Sequence, residues 1–396
     1  MKKVEEQVKI ILKGVDECID SDELKAKLKR SIEENKPLTV KLGLDPTAPD
    51  IHLGHTVVLR KLRQLQDLGH NVVVLIGDFT AKIGDPTGRS KTRKALTEEQ
   101  VKFNAQTYAD QIFKILDKDK TQIRFNSEWL EKLNFEDVVK LAATCTVAKM
   151  LEREDFKNRY TNNQPIAIHE FFYPLMQAYD SIELKSDIEL GGTEQRFNIL
   201  MGRSLQKFNN QECQIALFMP LLEGIDGKEK MSKSLGNYIG IDEEANVMFV
   251  KTMQIPDNLI IKYFELVTDV HPDSIAELSK QMEEGRNPRD VKLELASEIV
   301  RLYHGEEAVK SASEYFKNVY QKEIIPEDIM KLTLSEEERN IVNVVFAAGF
   351  TKSKSDARRL VQQGAVKISG EKITDIKYMV PENTVVKVGK DKFVKV

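Results

Sequence analysis

The sequence has few cysteines, no long apolar segment and no leader-like start. Its three cysteines, Cys18, Cys145 and Cys213, lie far apart and show neither disulfide spacing nor metal-ligand spacing. Its apolar runs are much shorter than the roughly 20 residues that a membrane helix needs. The N-terminus turns acidic at Glu5, where a secretion signal would be apolar. These absences exclude disulfide scaffolds and membrane spans, and they predict a cytoplasmic protein.

The marks of two common nucleotide-binding folds are also missing. Residues 84–90 read Gly-Asp-Pro-Thr-Gly-Arg-Ser, which has the wrong spacing for a Walker A loop and lacks the Gly-Lys pair. No GxGxxG segment follows a predicted strand. A P-loop NTPase and a dinucleotide-binding domain are therefore excluded.

Length and charge distribution indicate several domains with a basic end. At about 100 to 200 residues per domain, 396 residues allow two or three domains. Residues 341–396 carry eleven Lys and Arg against five Asp and Glu, so this end has a net charge of +6 and the rest has −10. Concentrated positive charge is expected of a domain that binds a phosphate backbone, although a merely soluble basic domain has the same composition.

Hydrophobic periodicity predicts an α/β domain followed by helices. Two amphipathic helices open the chain, and strand 38–44, helix 53–68 and buried strand 71–76 then form a βαβ unit. Such a unit implies a parallel sheet with a ligand crevice at the carboxyl ends of its strands. We expect residues 98–159 to be mostly helical, a helix around 171–179, a strand at 214–219, helices after Ile241 and a linker at 326–338.

The first candidate site is Gly43-Leu44-Asp45-Pro46-Thr47, followed by His52-Leu53-Gly54-His55 at the start of a predicted helix. A helix N-terminus presents free amide N–H groups and partial positive charge, so imidazole donors there suit a polyphosphate. Gly54 would let a flat base approach the backbone. Two histidines three residues apart are also compatible with a metal pair or with ordinary surface residues.

The second candidate site is the loop Lys230-Met231-Ser232-Lys233-Ser234. Two ammonium groups and two hydroxyls can gather around triphosphate oxygens as negative charge develops, although most basic loops are simply solvated. An HLGH segment after the first strand and a KMSKS loop after the last resemble the two-part signature of class I aminoacyl-tRNA synthetases. The chain carries the second part letter for letter, and the first with Leu53 for isoleucine.

A third group of residues indicates the amino acid. Tyr173, Gln177 and Asp180 share one face of a predicted helix, which by itself is also compatible with a polar exposed side. The array resembles the tyrosine pocket of tyrosyl-tRNA synthetases, in which the first two hold the substrate ammonium and Asp180 accepts a hydrogen bond from the phenol. The segment Gly191-Gly192-Thr193-Glu194-Gln195 resembles the family's contact with the ribose and the activated carboxyl.

The resemblance assigns roles residue by residue. It assigns to tyrosine Asp85, Tyr173, Gln177, Asp180 and Gln195. It assigns to ATP Gly43, Asp45, Thr47, His52, Gly54, His55, Gly192, Glu194 and Lys233. It assigns to catalysis His52, His55, Lys230, Lys233, Ser234, Arg89 and Arg93, the two arginines on a mobile loop that assists pyrophosphate departure.

One position departs from the common pattern. Many tyrosyl enzymes carry a phenol-binding tyrosine two residues before the glycine of the first signature, but this chain has Lys41. The form Lys-Leu-Gly-Leu-Asp-Pro-Thr resembles a second bacterial subgroup of the family. The partner of the phenol at this position is therefore left open, and Asp180 is expected to be the main acceptor.

The basic C-terminal segment supplies the last resemblance. Residues 344–366 resemble a small RNA-binding fold shared with a ribosomal small-subunit protein and pseudouridine synthases. Its predicted helix places Lys354, Arg358 and Arg359 toward one side, where they suit tRNA phosphates. Bacterial tyrosyl enzymes carry this domain at the same end, whereas tryptophanyl enzymes lack it.

Together these observations predict an α/β protein with three domains. The expected parts are a Rossmann-like catalytic domain at 1–241, a helical anticodon-side domain at 242–334 and a small α+β RNA-binding domain at 340–396. The resemblance implies a homodimer that uses tyrosine, ATP with Mg²⁺, and tRNA, with no metal held by the protein itself. A tryptophanyl enzyme and a non-catalytic RNA-binding regulator on a synthetase scaffold remain as alternatives.

Overall fold

A computed structural model describes residues 2–45, 51–82, 111–321, 329–368, 371–389 and 392–396. Four predicted site residues, Thr47, Asp85, Arg89 and Arg93, lie outside the described residues. The chain divides into two compact units, Met1–Tyr303 and His304–Val396. No helix in the described ranges is both long enough and apolar enough to cross a membrane.

The first unit is built on a six-stranded sheet with the order β1-β6-β5-β2-β3-β4. Its strands are β1 (Glu17–Ile19), β2 (Thr39–Leu44), β3 (Asn71–Ile76), β4 (Thr121–Phe125), β5 (Ile188–Gly192) and β6 (Ile215–Met219). All neighbouring pairs are parallel except β1 with β6. Nearly every residue of β3 and β6 is buried, because helices cover both faces of a parallel sheet. The predicted α/β fold with a parallel sheet is confirmed.

The hydrophobic pattern of the sequence did not predict two short edge strands. The prediction of mostly helical structure over 98–159 is wrong at β4, which pairs with β3 at the sheet edge. Its sequence, Thr-Gln-Ile-Arg-Phe, is polar and only partly buried. An edge strand packs and hydrogen-bonds on one side only, so it lacks the apolar run that reveals a central strand. The three-residue β1, which lies between the two predicted N-terminal helices, was missed for the same reason.

Helices surround this sheet and continue beyond it. The described ranges of the first unit contain the helices α1 (Val4–Leu12), α2 (Ser21–Glu33), α3 (Leu53–Asp67), α4 (Ser127–Leu130), α5 (Phe135–Ala142), α6 (Val147–Met150), α7 (Glu154–Thr161), α8 (Ile168–Leu184), α9 (Arg196–Phe208), α10 (Ala245–Gln254), α11 (Ile260–Val267), α12 (Pro272–Glu283) and α13 (Pro288–His304), whose last residue belongs to the second unit. Short 3-10 turns occupy Thr80–Lys82, Lys118–Lys120, Thr193–Gln195 and Asp257–Leu259. The helical segment expected after Ile241 packs on the sheet domain through α11 and α3. Asn287 accepts a hydrogen bond from the Arg289 N–H at 3.0 Å, as expected at a helix start.

The second unit joins a small sheet to short helices. Helices α14 (Glu306–Phe316), α15 (Ile341–Ala347) and α16 (Lys354–Gln362), a π-helical turn at Lys317–Gln321 and a 3-10 turn at Glu336–Glu338 accompany five strands. The strands are β7 (Met330–Lys331), β8 (Val366–Ile368), β9 (Glu371–Ile373), β10 (Val385–Val388) and β11 (Lys392–Lys395), in the order β7-β11-β10-β8-β9.

The predicted linker at 326–338 is partly folded into this sheet. Met330 and Lys331 pair in parallel with β11, and Leu332 donates its backbone N–H to the Lys395 carbonyl at 2.8 Å. Leu332 and Leu334 pack against the apolar core of the unit. The predicted break between 334 and 340 therefore falls within the second unit, and the three-domain division stays a prediction.

Candidate active site

A cavity of about 470 Å³ opens at the carboxyl ends of β2, β5 and β6, where the βαβ pattern predicts a ligand crevice. It brings together most of the predicted site residues that the structure describes. Those on its wall are Gly43, Asp45, His52, Gly54, His55, Tyr173, Gln177, Asp180, Gly192, Glu194, Gln195 and Lys230. Residues more than 180 positions apart in the sequence thus share one site.

The two histidines form a close pair of tilted rings at the start of α3. His52 is the N-cap residue, and its Nδ1 accepts the Gly54 N–H at 3.2 Å. Nδ1 of His55 accepts the His52 N–H at 3.3 Å, and the two ring centroids are 3.9 Å apart. Because Nδ1 is the acceptor in both neutral rings, Nε2 carries the proton in both. Each ring therefore has one N–H donor available to a ligand.

Both rings are held in the neutral form. Burial, the neighbouring His55 and the Lys233 ammonium lower the pKa of His52 to about 3. Burial and Lys233 also lower the pKa of His55. At pH 7 the pair can donate hydrogen bonds but adds no positive charge.

Packing explains why residue 54 is a glycine, and the sequence alone does not reveal this. A Cβ at this position would lie 3.0 Å from Cε1 and Nδ1 of the His52 ring and 3.4 Å from Cβ of Met231. The absence of a side chain thus lets the capping imidazole fold back over the helix start. A Cβ at Gly43, by contrast, would meet nothing within 4 Å, so the first signature leaves open space at that point.

The basic loop is organised by a residue outside the signature, Asn237. Its Nδ2 donates to the carbonyl oxygens of Glu229 and Lys230 at 3.3 and 3.2 Å and to the Asp226 carboxylate at 2.9 Å. Its Oδ1 accepts the Ser232 N–H at 2.8 Å. Asn237 is only 4% exposed, so these bonds form away from water and fix the shape of the loop.

The loop presents its cations next to the histidines. Lys230 lines the cavity, and Lys233 and Ser234 are exposed on the same loop. Backbone contacts join the first signature to the segment that follows the basic loop, since Leu53 donates its N–H to the Ile239 carbonyl at 2.9 Å and His52 bridges to Gly240. Hydrogen-bond donors and movable positive charges therefore meet at one end of the cavity, which suits a polyphosphate.

The other end of the cavity is formed by α8. Tyr173 donates its hydroxyl proton to the Asp45 carboxylate at 2.8 Å. Asp180 is 3% exposed and accepts the indole N–H of Trp129 at 2.8 Å. Burial raises the pKa of Asp180 to about 7, although Lys41 and the hydrogen bonds from Trp129 and Asn126 lower it. A buried acceptor of this kind requires a donor from whatever ligand enters.

Comparison with known proteins decides the family. Residues 33–321 match the profile of tRNA synthetases class I (W and Y), and residues 321–396 match the tyrosine–tRNA ligase SYY-like C-terminal domain. Tyrosine–tRNA ligase 2 of Clostridium acetobutylicum is 62% identical over 397 residues, which cover 100% of this chain and 99% of the relative. The tyrosine–tRNA ligase of Carboxydothermus hydrogenoformans is 57% identical over 399 residues, covering 98% and 97%.

The chain belongs to the tyrosine–tRNA ligase family. The resemblance found in the sequence is therefore confirmed, and the tryptophanyl alternative is set aside. Solved structures agree in fold. A C-terminally truncated mitochondrial tyrosyl-tRNA synthetase of Aspergillus nidulans has a TM-score of 0.65 at 24% identity, covering 79% of this chain and 94% of that chain. A tyrosyl-tRNA synthetase of Archaeoglobus fulgidus in complex with L-tyrosine has 0.62 at 23%, covering 78% and 99%.

Several residues of this tyrosine–tRNA ligase site have no motif in the sequence. Asn126 approaches the Asp180 carboxylate at 3.5 Å and donates to the Thr80 hydroxyl at 3.2 Å. Thr80 in turn donates to Asp45 at 3.0 Å. A chain of hydrogen bonds thus runs from Asp180 to Asp45. The one usable signal was Trp129, the single tryptophan, because a buried indole N–H needs an acceptor.

The segment Gly191 to Gln195, which ends β5 and forms the turn after it, is shaped by its own side chains. The Glu194 carboxylate folds back over Gly192, where a Cβ would collide with it. Gln195 accepts a hydrogen bond from Asn198 at 2.9 Å. Both side chains line the cavity, so the segment supplies an exposed carboxylate and an amide to this wall.

The predicted tRNA-binding residues lie in the second unit, on α16. Lys354, Arg358 and Arg359 are all exposed. Lys354 and Arg358 are four residues apart and share a face of the helix. Arg359 forms an ion pair with Asp356 one turn back. The three cations are therefore not equivalent, because the charge of Arg359 is partly balanced within the helix.

Proposed function

We propose that this chain activates tyrosine with ATP to give tyrosyl-adenylate and pyrophosphate, and then transfers the tyrosyl group to the 3′ end of tRNA(Tyr). One observation carries the proposal. A single cavity has donors and cations at one end, the phosphate end (His52, His55 and Lys230), and a buried carboxylate with polar neighbours at the other, the phenol end (Tyr173, Gln177 and Asp180).

Tyrosine activation needs no general base in this site. The carboxylate of tyrosine is already ionised at pH 7 and attacks the α-phosphorus in line while pyrophosphate leaves. The protein positions the two substrates and stabilises charge on the departing group. The neutral His52 and His55 donate Nε2–H hydrogen bonds to phosphate oxygens, and Lys230, Lys233 and Ser234 follow the charge as it moves to the pyrophosphate.

The remaining roles at the phosphate end follow the family pattern. Gly43, Thr47 and Gly54 border the nucleotide, Asp45 borders it from the side on which it pairs with Tyr173, and Gly192 and Glu194 contact its ribose. Arg89 and Arg93 assist pyrophosphate departure. ATP enters as its magnesium complex, with the ion on the phosphate oxygens.

At the phenol end, Asp180 accepts the phenol hydrogen bond. Tyr173 and Gln177 hold the ammonium together with Asp85, and Gln195 lies along the carboxyl. The pairing of Tyr173 with Asp45 supports this arrangement, because it fixes the Tyr173 ring at the cavity wall and leaves a carboxylate beside the ammonium site.

Binding of tRNA is assigned to the C-terminal unit, with Lys354, Arg358 and Arg359 on phosphates. The division into a catalytic part at 1–241, a helical anticodon-side part at 242–334 and an RNA-binding part at 340–396 belongs to the same proposal. So do a homodimeric assembly and a cytoplasmic location.

ATP–pyrophosphate exchange tests the proposal directly. Exchange should require tyrosine, and phenylalanine and tryptophan should support it poorly. Aminoacylation should then need tRNA(Tyr). Exchange with tryptophan in preference to tyrosine, or tRNA binding without any exchange, would contradict the proposed activity.

A further inference from the structure

Lys41, whose role the family resemblance leaves open, forms a buried ion pair. Its side chain is 0% exposed, and its Nζ lies 2.9 Å from Oε1 of Glu189, which is 1% exposed. The two residues are also register partners on the adjacent parallel strands β2 and β5. The ion pair is therefore fixed by the backbone of the sheet as well as by its own attraction.

The Lys41–Glu189 pair is hydrogen-bonded to the turn of α8 that forms the phenol end of the cavity. Lys41 donates to the Gln177 carbonyl at 3.1 Å and to the Ser181 hydroxyl at 2.8 Å. Ser181 donates to the other oxygen of Glu189 at 3.0 Å, and that oxygen also accepts from Gln214. Asp180 lies between Gln177 and Ser181 on α8, so its position follows from these bonds.

The ammonium of Lys41 has no proton left for a substrate. It carries three N–H groups, and Glu189, Ser181 and the Gln177 carbonyl provide three acceptors. Lys41 therefore cannot replace the phenol-binding tyrosine of the common family pattern by direct contact. Its effect on the substrate must pass through the residues it holds and through its charge.

We propose that Lys41 and Glu189 act as a buried pair of positioning residues that holds the Gln177–Ser181 turn, and with it Asp180, in the position and electrostatic surroundings that select tyrosine. The inference rests on the proposed tyrosine-activating function. It adds two residues to those that determine specificity: Lys41, which does not line the cavity, and Glu189, which forms part of its wall.

The charges around Asp180 give the two members opposite effects. From β2, Lys41 lowers the pKa of Asp180, and from β5, Glu189 raises it. Trp129 and Asn126 add neutral donors, and Asp45 lies farther along the hydrogen-bond chain through Thr80. Asp78 faces the Ser127 end of α4, where it accepts from the Ser127 hydroxyl at 2.6 Å. Removing Lys41 should therefore favour the protonated form of Asp180, and removing Glu189 the ionised form.

The test is the pH dependence of kcat/KM for tyrosine in pyrophosphate exchange, measured on the full chain. Lys41→Met should move the midpoint of the profile to higher pH by about one unit or more, and Glu189→Gln should move it to lower pH. The double variant, which removes both charges, should return toward the wild-type midpoint. It should also melt at a higher temperature than either single variant, because neither charge is left buried alone.

A matched control separates this role from a loss of stability. Lys27 is also 0% exposed and pairs with Asp187 at 3.3 Å and Glu212 at 3.4 Å, away from the cavity wall. Lys27→Met should lower the melting temperature but leave the midpoint unchanged. Shifts of the two pair variants in the same direction, or no shift in either, would overturn the proposal.

Two further results complete the test. If Lys41→Met does not fold, Glu189→Gln and the double variant still test the proposal. It requires the midpoint of the pH profile to move to lower pH in Glu189→Gln and to return toward the wild-type value in the double variant. If wild-type exchange depends on an amino acid other than tyrosine, the proposed function fails first. Tyrosine-dependent exchange with unmoved midpoints would instead contradict only the role of the pair.

Discussion

The phosphate end and the phenol end of the cavity are built in different ways. The phosphate end consists of two short contiguous segments, His52 to His55 and Lys230 to Ser234, and the lysines of the second are exposed. The phenol end draws on β2, the Thr80 turn, α4, α8 and β5, and its central carboxylate is buried. One end is a loop against a helix start, whereas the other is part of the domain core.

This structural difference corresponds to two functions, stabilisation of charge on the leaving group and discrimination between amino acids. Cations that follow a moving charge need freedom, so the lysines lie on a loop whose base is fixed by Asn237. Discrimination between tyrosine and phenylalanine depends on one hydroxyl, and it needs an acceptor that cannot turn to water. We therefore expect substitutions at the phenol end to change selectivity and substitutions at the phosphate end to change rate.

The largest effect should come from Asp180→Ala. It should collapse the ratio of kcat/KM for tyrosine over phenylalanine, because no buried polar group is then left unpaired by a ligand that lacks the hydroxyl. A ratio of about 100,000 is known for tyrosyl-tRNA synthetases as a class, and its size is taken from them rather than from this chain. Exchange kinetics with both amino acids measure it. Asp187→Ala, directly before β5, is the control and should keep the ratio.

The next effect should come from Lys233→Ala. Loss of a donor that acts on the leaving group typically costs about 3 to 4 kcal/mol of barrier, which is roughly 100- to 1,000-fold in the rate of adenylate formation. Tyrosine affinity should change little, because the residue does not line the phenol end. Single-turnover kinetics with separate tyrosine binding measurements check this. A large loss of tyrosine affinity would remove the distinction between the two ends.

Asn237→Ala should slow adenylate formation through the loop rather than through contact with ATP. The variant loses four hydrogen bonds that shape the basic loop, and about a tenfold fall in kcat is expected for a site displaced from its productive geometry. Asn209→Ala, which loses an asparagine-to-backbone hydrogen bond at the end of α9, is the matched control. An unchanged kcat in Asn237→Ala would show that the loop is shaped by other contacts.

The pH dependence of kcat/KM for tyrosine should reflect the ionisation of Asp180 at the phenol end and no group at the phosphate end. Asp180 has its pKa raised to about 7 in the folded protein, so the free enzyme holds a proton there at lower pH and loses it as pH rises. With the ionised form as the proposed acceptor of the phenol hydrogen bond, kcat/KM for tyrosine should rise with pH through a midpoint near 7 and fall about tenfold per unit below it. His52, with a pKa of about 3, should contribute no step near 6.5. A profile that is flat between pH 6 and 8 would count against Asp180 as the acceptor.

The smallest effects should arise in the C-terminal unit. Lys354→Ala and Arg358→Ala should each weaken tRNA binding several-fold and reduce the salt dependence of the binding constant by about one phosphate contact. Arg359→Ala should do less, because Asp356 already balances that charge. Titrations with tRNA at several salt concentrations measure the slopes, and pyrophosphate exchange should remain at the wild-type rate in all three variants.

The sequence by itself determined the βαβ unit, the two signatures and the face of α8. Each of these is local: an apolar run such as β3, a turn chemistry, or a spacing of three to seven residues on one helix. The family pattern added the roles that we propose for residues such as Lys233 and Asp180. Edge strand β4 and the folded part of the predicted linker were missed, because short half-exposed strands have no distinctive pattern.

Only the tertiary structure decided how the phenol end is held together. Trp129 and Asn126 reach Asp180 from more than 50 residues away, and Lys41 meets Glu189 across a strand pair separated by almost 150 residues. No spacing in the sequence encodes these contacts, since they arise when parallel strands align in register and bury polar groups that must find partners. The environment of Lys41, which stands where many members of the family have a tyrosine, therefore depends on Glu189, which the sheet places beside it.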